Sequence, residues 1–138
     1  MTTPPTRAPV RILVPTSFGE LLDKITILEI KAGLITTPAR RAHAAHELAL
    51  LRAVLADLPI PRETLVASLL AELARVNRQL WDIEDAIRDC ERQQDFGPRF
   101  VALARAVYLT NDVRAGLKRD LNAAFGSDLV EVKSHDPD

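Results

Sequence analysis

Four stretches of this chain repeat their apolar residues at spacings of three and four, and each is bounded by residues that start or stop helices. The clearest is Leu65, Leu69, Leu73, Val76, Leu80, Ile83 and Ile87, which lays one apolar stripe along a helix predicted from about Glu63 to Arg92. Upstream, Thr16 or Ser17 caps a first helix that runs to about Ala32 or Leu34, Ser17 having capping-box spacing to Glu20. Thr37 and Pro38 supply the N-cap and first-turn residue of a second helix through about Leu58, where Pro59-Ile60-Pro61 stops it. Asp95-Phe96-Gly97-Pro98 turns the chain into a fourth helix ending near Phe125, with Gly126 just past its end. Outside the helices, Val10-Arg11-Ile12-Leu13-Val14 is short and β-branched, and Leu129 to Ser134 alternates; the two are expected to pair as strands. Residues 1–9, with three prolines and no periodicity, read as a disordered lead-in. The pattern therefore predicts one mainly all-α domain over residues 10–135: four helices, with a small two-stranded β element joining the N- and C-terminal segments.

Several polar residues interrupt this pattern. In the fourth helix Leu103, Val107, Leu117, Leu121 and Phe125 share one side, and Arg114 falls in the middle of it. A guanidinium facing a core must find an acceptor, because an unpaired buried charge costs a large part of a small domain's stability. The first helix is apolar on two faces, Leu21, Ile25, Leu28 and Ala32 on one, Ile27, Ile30 and Leu34 on the other, which marks it as central. Glu20, Lys24 and Lys31 occupy the seam between these faces, with Glu20 and Lys24 at favourable i,i+4 spacing, and Asp23 lies inside the second face. On the third helix Asn77, Trp81, Glu84 and Arg88 form a second stripe beside the core stripe; the indole of Trp81 suits a boundary between apolar and polar surroundings. On the fourth, Tyr108, Asn111, Lys118 and Asn122 flank Arg114. Asn111 and Asp112 are poor helix formers, so something else must compensate them.

Composition narrows the partners. With 138 residues and 47% hydrophobic content the chain can bury one core, and a net charge of −1 with interspersed signs removes the basic face of a nucleic-acid binder. No apolar run reaches the ~18 residues of a membrane span, and the N-terminus lacks the apolar core of a signal peptide, so a cytoplasmic protein is expected. Cys90 is the only cysteine, which excludes an internal disulfide and fits a reducing compartment; its neighbours Asp89 and Glu91 disfavour a thiolate nucleophile. His43 and His46 have metal-like spacing but no third ligand. The mixed charges of the polar cluster argue for internal pairing or for a polar ligand, and less for a bare magnesium cage. No metal and no cofactor is expected.

The string from Ser17 to Lys31 (SFGELLDKITILEIK) resembles the opening of a family of small bacterial helical proteins without an assigned activity. The same pattern matches Asn77 to Arg88 (NRQLWDIEDAIR), Tyr108 to Asp112 with Arg114 and Lys118, and Gly126 to Ser134 (GSDLVEVKS). The resemblance implies a bacterial protein in the company of surface-polysaccharide assembly, without a chemistry to transfer. With that company, the expected function is binding of an anionic small molecule, such as a sugar nucleotide or glycan precursor, or of a partner segment. Lys24, Arg88, Arg114 and Lys118 would meet the anion; Asn77, Trp81, Tyr108 and Asn111 would shape and orient the site; Glu20, Asp23, Glu84 and Asn122 would support it. Two alternatives stand beside it. One is a magnesium-dependent all-α nucleotide pyrophosphohydrolase using Glu20, Asp23, Glu84 and Asp85. The other is a structural adaptor or homodimer, in which the cluster is a buried ion-pair network and the second helix is the interface.

Overall fold

The computed structural model describes residues 8–129, 131 and 132, and contains four helices: α1 (Phe18–Leu34), α2 (Pro38–Ala56), α3 (Glu63–Gln93) and α4 (Pro98–Phe125). At about 1.5 Å per residue α3 and α4 are each more than 40 Å long, whereas α1 spans only about 25 Å. The short connection from Gln94 to Gly97 folds α3 and α4 into a hairpin. The central position expected for α1 is observed: it packs on α3, on α4 and on α2, while α2 approaches α1 alone. One end of the hairpin is thereby built into a core of Phe18, Leu21, Leu22, Ile25 and Leu28 from α1, Ala44 and Leu48 from α2, Val66, Leu73 and Val76 from α3, and Leu117, Leu121 and Ala124 from α4. Leu65, placed on the core stripe by spacing, is 47% exposed, and Val66 is buried in its stead at the start of α3.

The N-terminus of α1 is closed by tertiary contacts as well as by its own cap. Ser17 Oγ accepts from the Glu20 N–H at 3.2 Å, the predicted cap. The Phe18 N–H donates to Ser127 Oγ at 3.1 Å and the Gly19 N–H to Asn122 Oδ1 at 2.7 Å, so α4 and the residues after it satisfy two more donors that a helix start leaves open. Gly126, at φ 84°, ends α4 as expected and lets both its own N–H and that of Ser127 return to the Asn122 carbonyl, which brings Ser127 beside α1. Phe18 and Phe125 stack above this junction with ring centroids 4.2 Å apart.

The expected pair of terminal strands is not seen among the described residues. Among the described residues there is no strand; Val10, Ile12, Leu13 and Val14 are 70% exposed or more, and the last two residues of the expected partner (133–134) lie outside the described residues, as does Val130. A lone two-stranded ribbon is marginal without a face to cover, and Glu131 is drawn instead to Lys118 on α4, with Nζ and Oε2 3.2 Å apart. Residues 1–7 of the expected lead-in also lie outside the described residues.

Gly19 sets how closely α1 and α4 approach. A Cβ there would sit 2.5 Å from the Lys118 carbonyl oxygen and 2.9 Å from Asn122 Oδ1, closer than packed atoms tolerate. Gly19→Ala is expected to lower stability by about 1–3 kcal/mol through forced separation of the helices. Gly33, whose Cβ would meet nothing within 4 Å, should gain roughly 0.5–1 kcal/mol as alanine. Urea denaturation of the two variants checks both signs.

Candidate functional site

Asp23 is the centre of the polar cluster. Its side chain is 1% exposed, yet α1 directs it between α3 and α4, where three side chains meet it. Arg114 donates to both carboxylate oxygens, through Nε to Oδ1 at 2.9 Å and through Nη2 to Oδ2. Asn77 Nδ2 donates to Oδ1 at 2.9 Å, and Lys118 Nζ lies 3.6 Å from Oδ2. Asn77 Nδ2 also donates to Thr26 Oγ1 at 2.8 Å, whose own hydroxyl donates to the Asp23 carbonyl one turn back. Asn111 Oδ1 accepts from Arg114 Nη1 at 3.2 Å, which compensates its unfavourable place in mid-helix. Lys118, 8% exposed, completes the cluster by bridging Glu20 at 2.7 Å and Glu131 at 3.2 Å. Asn122 stands one turn further along α4, holding the Gly19 N–H.

The titration behaviour follows from this geometry. Burial pushes the Asp23 carboxyl up, but the hydrogen bonds from Arg114 and Asn77 and the charges of Arg114 and Lys118 outweigh it, leaving Asp23 below its ordinary 3.8. The hydrogen bond to Asp23 raises Arg114 against the effect of burial. Burial lowers Lys118, but the hydrogen bonds and charges of its carboxylate neighbours, Glu20 and Asp23 foremost, raise it on balance. All three groups are charged at neutral pH.

Lys24, Tyr108, Trp81, Glu84 and Arg88, all assigned to the cluster, lie elsewhere. Lys24, paired with Glu20 by spacing, instead reaches α2 and meets Glu47 at 3.4 Å, while Glu20 turns to Lys118. A cross-helix partner displaces the i,i+4 pair because the shielded Lys118 needs a carboxylate more than an exposed lysine does. Tyr108 is 52% exposed on the outer side of α4, where its oxygen accepts from Arg105 at 3.4 Å. It stands beyond the reach of α1, so nothing covers it. The cluster also holds two members outside the expected set. Thr26 was signalled only by standing one turn after Asp23, and Glu131, beyond the last helix, by nothing in the helical pattern.

Trp81, Glu84 and Arg88 build a different feature. They line a cleft of about 380 Å³ with Ile27, Ile30, Asp85 and the outer edges of Asn77 and Arg114. On the other side of Trp81 and Arg88 lies a second cleft of about 600 Å³ between α1, α2 and α3, lined by Lys31, Arg40, His43 and Glu47 among others. Lys31, Arg40 and Arg88 form no ion pair among the described residues, whereas Glu47 is held by Lys24. The expected single site is thus two places: a paired network around Asp23, and a double cleft sharing Trp81 and Arg88. A smaller hollow of about 200 Å³ opens beside the network at Asn111, Arg114, Lys118 and Glu131.

Among the described residues no three His, Cys, Asp or Glu side chains are placed so that they could hold a metal ion together. The Asp23 and Glu20 oxygens that the magnesium alternative needs are held by Arg114 and Lys118. No helix is long and apolar enough to cross a membrane among the described residues. The chain matches no protein-family model, no curated protein and no solved structure.

Removing the arginine should strand a buried carboxylate. Arg114→Ala is expected to cost about 3–5 kcal/mol in urea denaturation at neutral pH. A folded-state pKa lowered below the unfolded value contributes stability that is present above the unfolded pKa and lost as pH falls through the folded one. The gap between wild type and Arg114→Ala should therefore narrow as pH drops below about 4. A gap independent of pH would show that Arg114 acts through packing and not through Asp23.

Proposed function

We propose that this protein binds a phosphorylated sugar derivative, of the sugar-nucleotide or glycan-precursor class, across the double cleft. The observation that carries it is the contrast between two clefts with a common wall. On the α2 side, Lys31, Arg40 and Arg88 are cations without carboxylate partners among the described residues, facing the same space. Unpaired cations around a concave space favour an anion, and arginine suits phosphate because it can offer two parallel donors. On the other side Glu84, Asp85 and the Asn77 amide border apolar Ile27, Ile30 and Leu80, a mixture that accepts hydroxyl donors and covers a ring face. Trp81 stands between, where an aromatic face can pack on a sugar or base. A molecule with a phosphate at one end and hydroxyls at the other matches both sides at once.

In this reading Arg88 grips the anion, Trp81 positions the ring, and Glu84 and Asp85 receive hydroxyls. Arg114 and Asn77 form the floor, fixed by Asp23. Lys118 takes no part, since three carboxylates already surround it. The proposed role is recognition, in a carrier or accessory domain. The resemblance to proteins found in the company of surface-polysaccharide assembly agrees with that ligand class.

Arg88 is exposed and unpaired among the described residues, so its removal should leave the fold intact. Thermal unfolding of wild type, Arg88→Ala and Trp81→Ala in the presence of nucleoside diphosphate sugars, nucleoside diphosphates and free sugars tests the assignment. A ligand at 100 times its Kd adds about 2.7 kcal/mol, a rise of several degrees. The rise is expected with a diphosphate sugar on wild type and should disappear in Arg88→Ala. An equal rise in both proteins, or none with any compound, would refute the proposal.

A further inference from the structure

Beyond the core, the hairpin is left half covered. From Arg78 to Arg114 it contains one buried residue, Cys90. This stretch of α4 is apolar around most of its circumference, through Phe100, Val101, Ala102, Leu103, Ala104, Ala106, Val107, Tyr108 and Leu109, with Arg99 and Arg105 as its only charges before Asp112. A helix of that composition is normally buried on all sides. Here α3 covers one side, and α1 ends short of it; the opposite side leaves Val101, Tyr108, Leu109 and Val113 each about half exposed, at 53%, 52%, 52% and 54%.

We infer that this outer face of α4 binds the same face of a second copy, antiparallel, about a two-fold axis passing between Tyr108 and Leu109. Three pairs of positions on the face are equidistant from that point. Tyr108 and Leu109 flank it and meet across the axis. Arg105 and Asp112 lie next, so each arginine comes opposite the other copy's aspartate. Asp112 has an intrachain contact of its own, and a carboxylate with four acceptor positions can take a second donor. Val101 and Gly116 follow; a Cβ at Gly116 would meet nothing closer than the Arg119 guanidinium at 3.8 Å, so the glycine leaves a gap that a valine can enter. An isologous interface requires this property, each residue finding its complement at the mirrored position of the same surface. An unrelated partner would impose no such symmetry. The face is separate from the double cleft, so the inference does not rest on ligand binding.

Three measurements on the full chain decide it. Sedimentation equilibrium should give twice the monomer mass for wild type and the monomer mass for Leu109→Glu, with helical content by circular dichroism unchanged because Leu109 is outside the core. Under mild oxidation Leu109→Cys should cross-link to itself near the axis. Val113→Cys, four residues further along, should not, since the two copies of position 113 would be about 13 Å apart along the helices. Buried Cys90 is inaccessible to the oxidant. A monomeric wild-type protein, a dimer that survives Leu109→Glu, or cross-linking at 113 as efficient as at 109 would each overturn the inference.

Discussion

The burial of one carboxylate organises this fold. Asp23 sits in the second turn of the central helix, out of reach of water, and an isolated charge there would be intolerable. Its ionised state is kept by a guanidinium from α4 and an amide from α3, with an ammonium beside them, so the three helices share one electrostatic requirement. A purely apolar seam would let α1 slide or rotate against the hairpin with small changes in energy. Two oxygens that must meet Arg114 side-on and Asn77 at the same time allow one register. Gly19 and Asn122 repeat the constraint a turn away, through backbone contact. Specificity of arrangement, more than net stability, is what a buried pair of this kind contributes.

That division of charge separates structure from recognition. Arg114 and Lys118 have their full complement of carboxylates, and an incoming anion would have to compete with Asp23, Glu20 and Glu131 for them. Arg88, Lys31 and Arg40 carry no such commitment among the described residues. Cations that line a hollow without internal partners retain their attraction for a ligand, and their substitution costs the fold little. The two groups are neighbours, since Arg114 contributes its edge to the cleft that Arg88 borders, so the rigid network serves as a foundation for the adaptable one.

Much of this organisation was legible along the chain. Ser17, Pro38, Gly97-Pro98 and Gly126 marked helix ends because capping and ring chemistry act locally, and the third helix begins at Glu63 as its spacing predicts. Arg114 and Asp23 stood out because each interrupts an apolar face, and they are each other's partner. What the spacing could not convey is which neighbour covers a given face. Glu20 and Lys24 suited each other on one helix, yet each is taken by a different helix. Tyr108 shared a stripe with Asn111, but the stripe runs past the end of α1, and burial stops with it. Lys31, Arg40 and His43 are drawn from α1 and α2, and only the turn at Thr36–Thr37 places them opposite Trp81. The terminal segments had strand composition without a face to lie on, so alternation alone misled.

The linkage between the chain's two ends has a consequence for how the molecule comes into being. The contacts that seat α1 join residues 91, 103 and 109 positions apart, which places the partners of the first helix in α4 and just after it. During translation α1 and α2 would leave the ribosome as an apolar hairpin with an unneutralised aspartate, and α3 could cover only part of it. Docking of α1 awaits Arg114, Lys118 and Asn122, nearly the whole chain. Such non-local closure slows folding and prolongs exposure of the nascent apolar surface. The docking of α1 is therefore governed by contacts far along the sequence, and not by the modest size of the core.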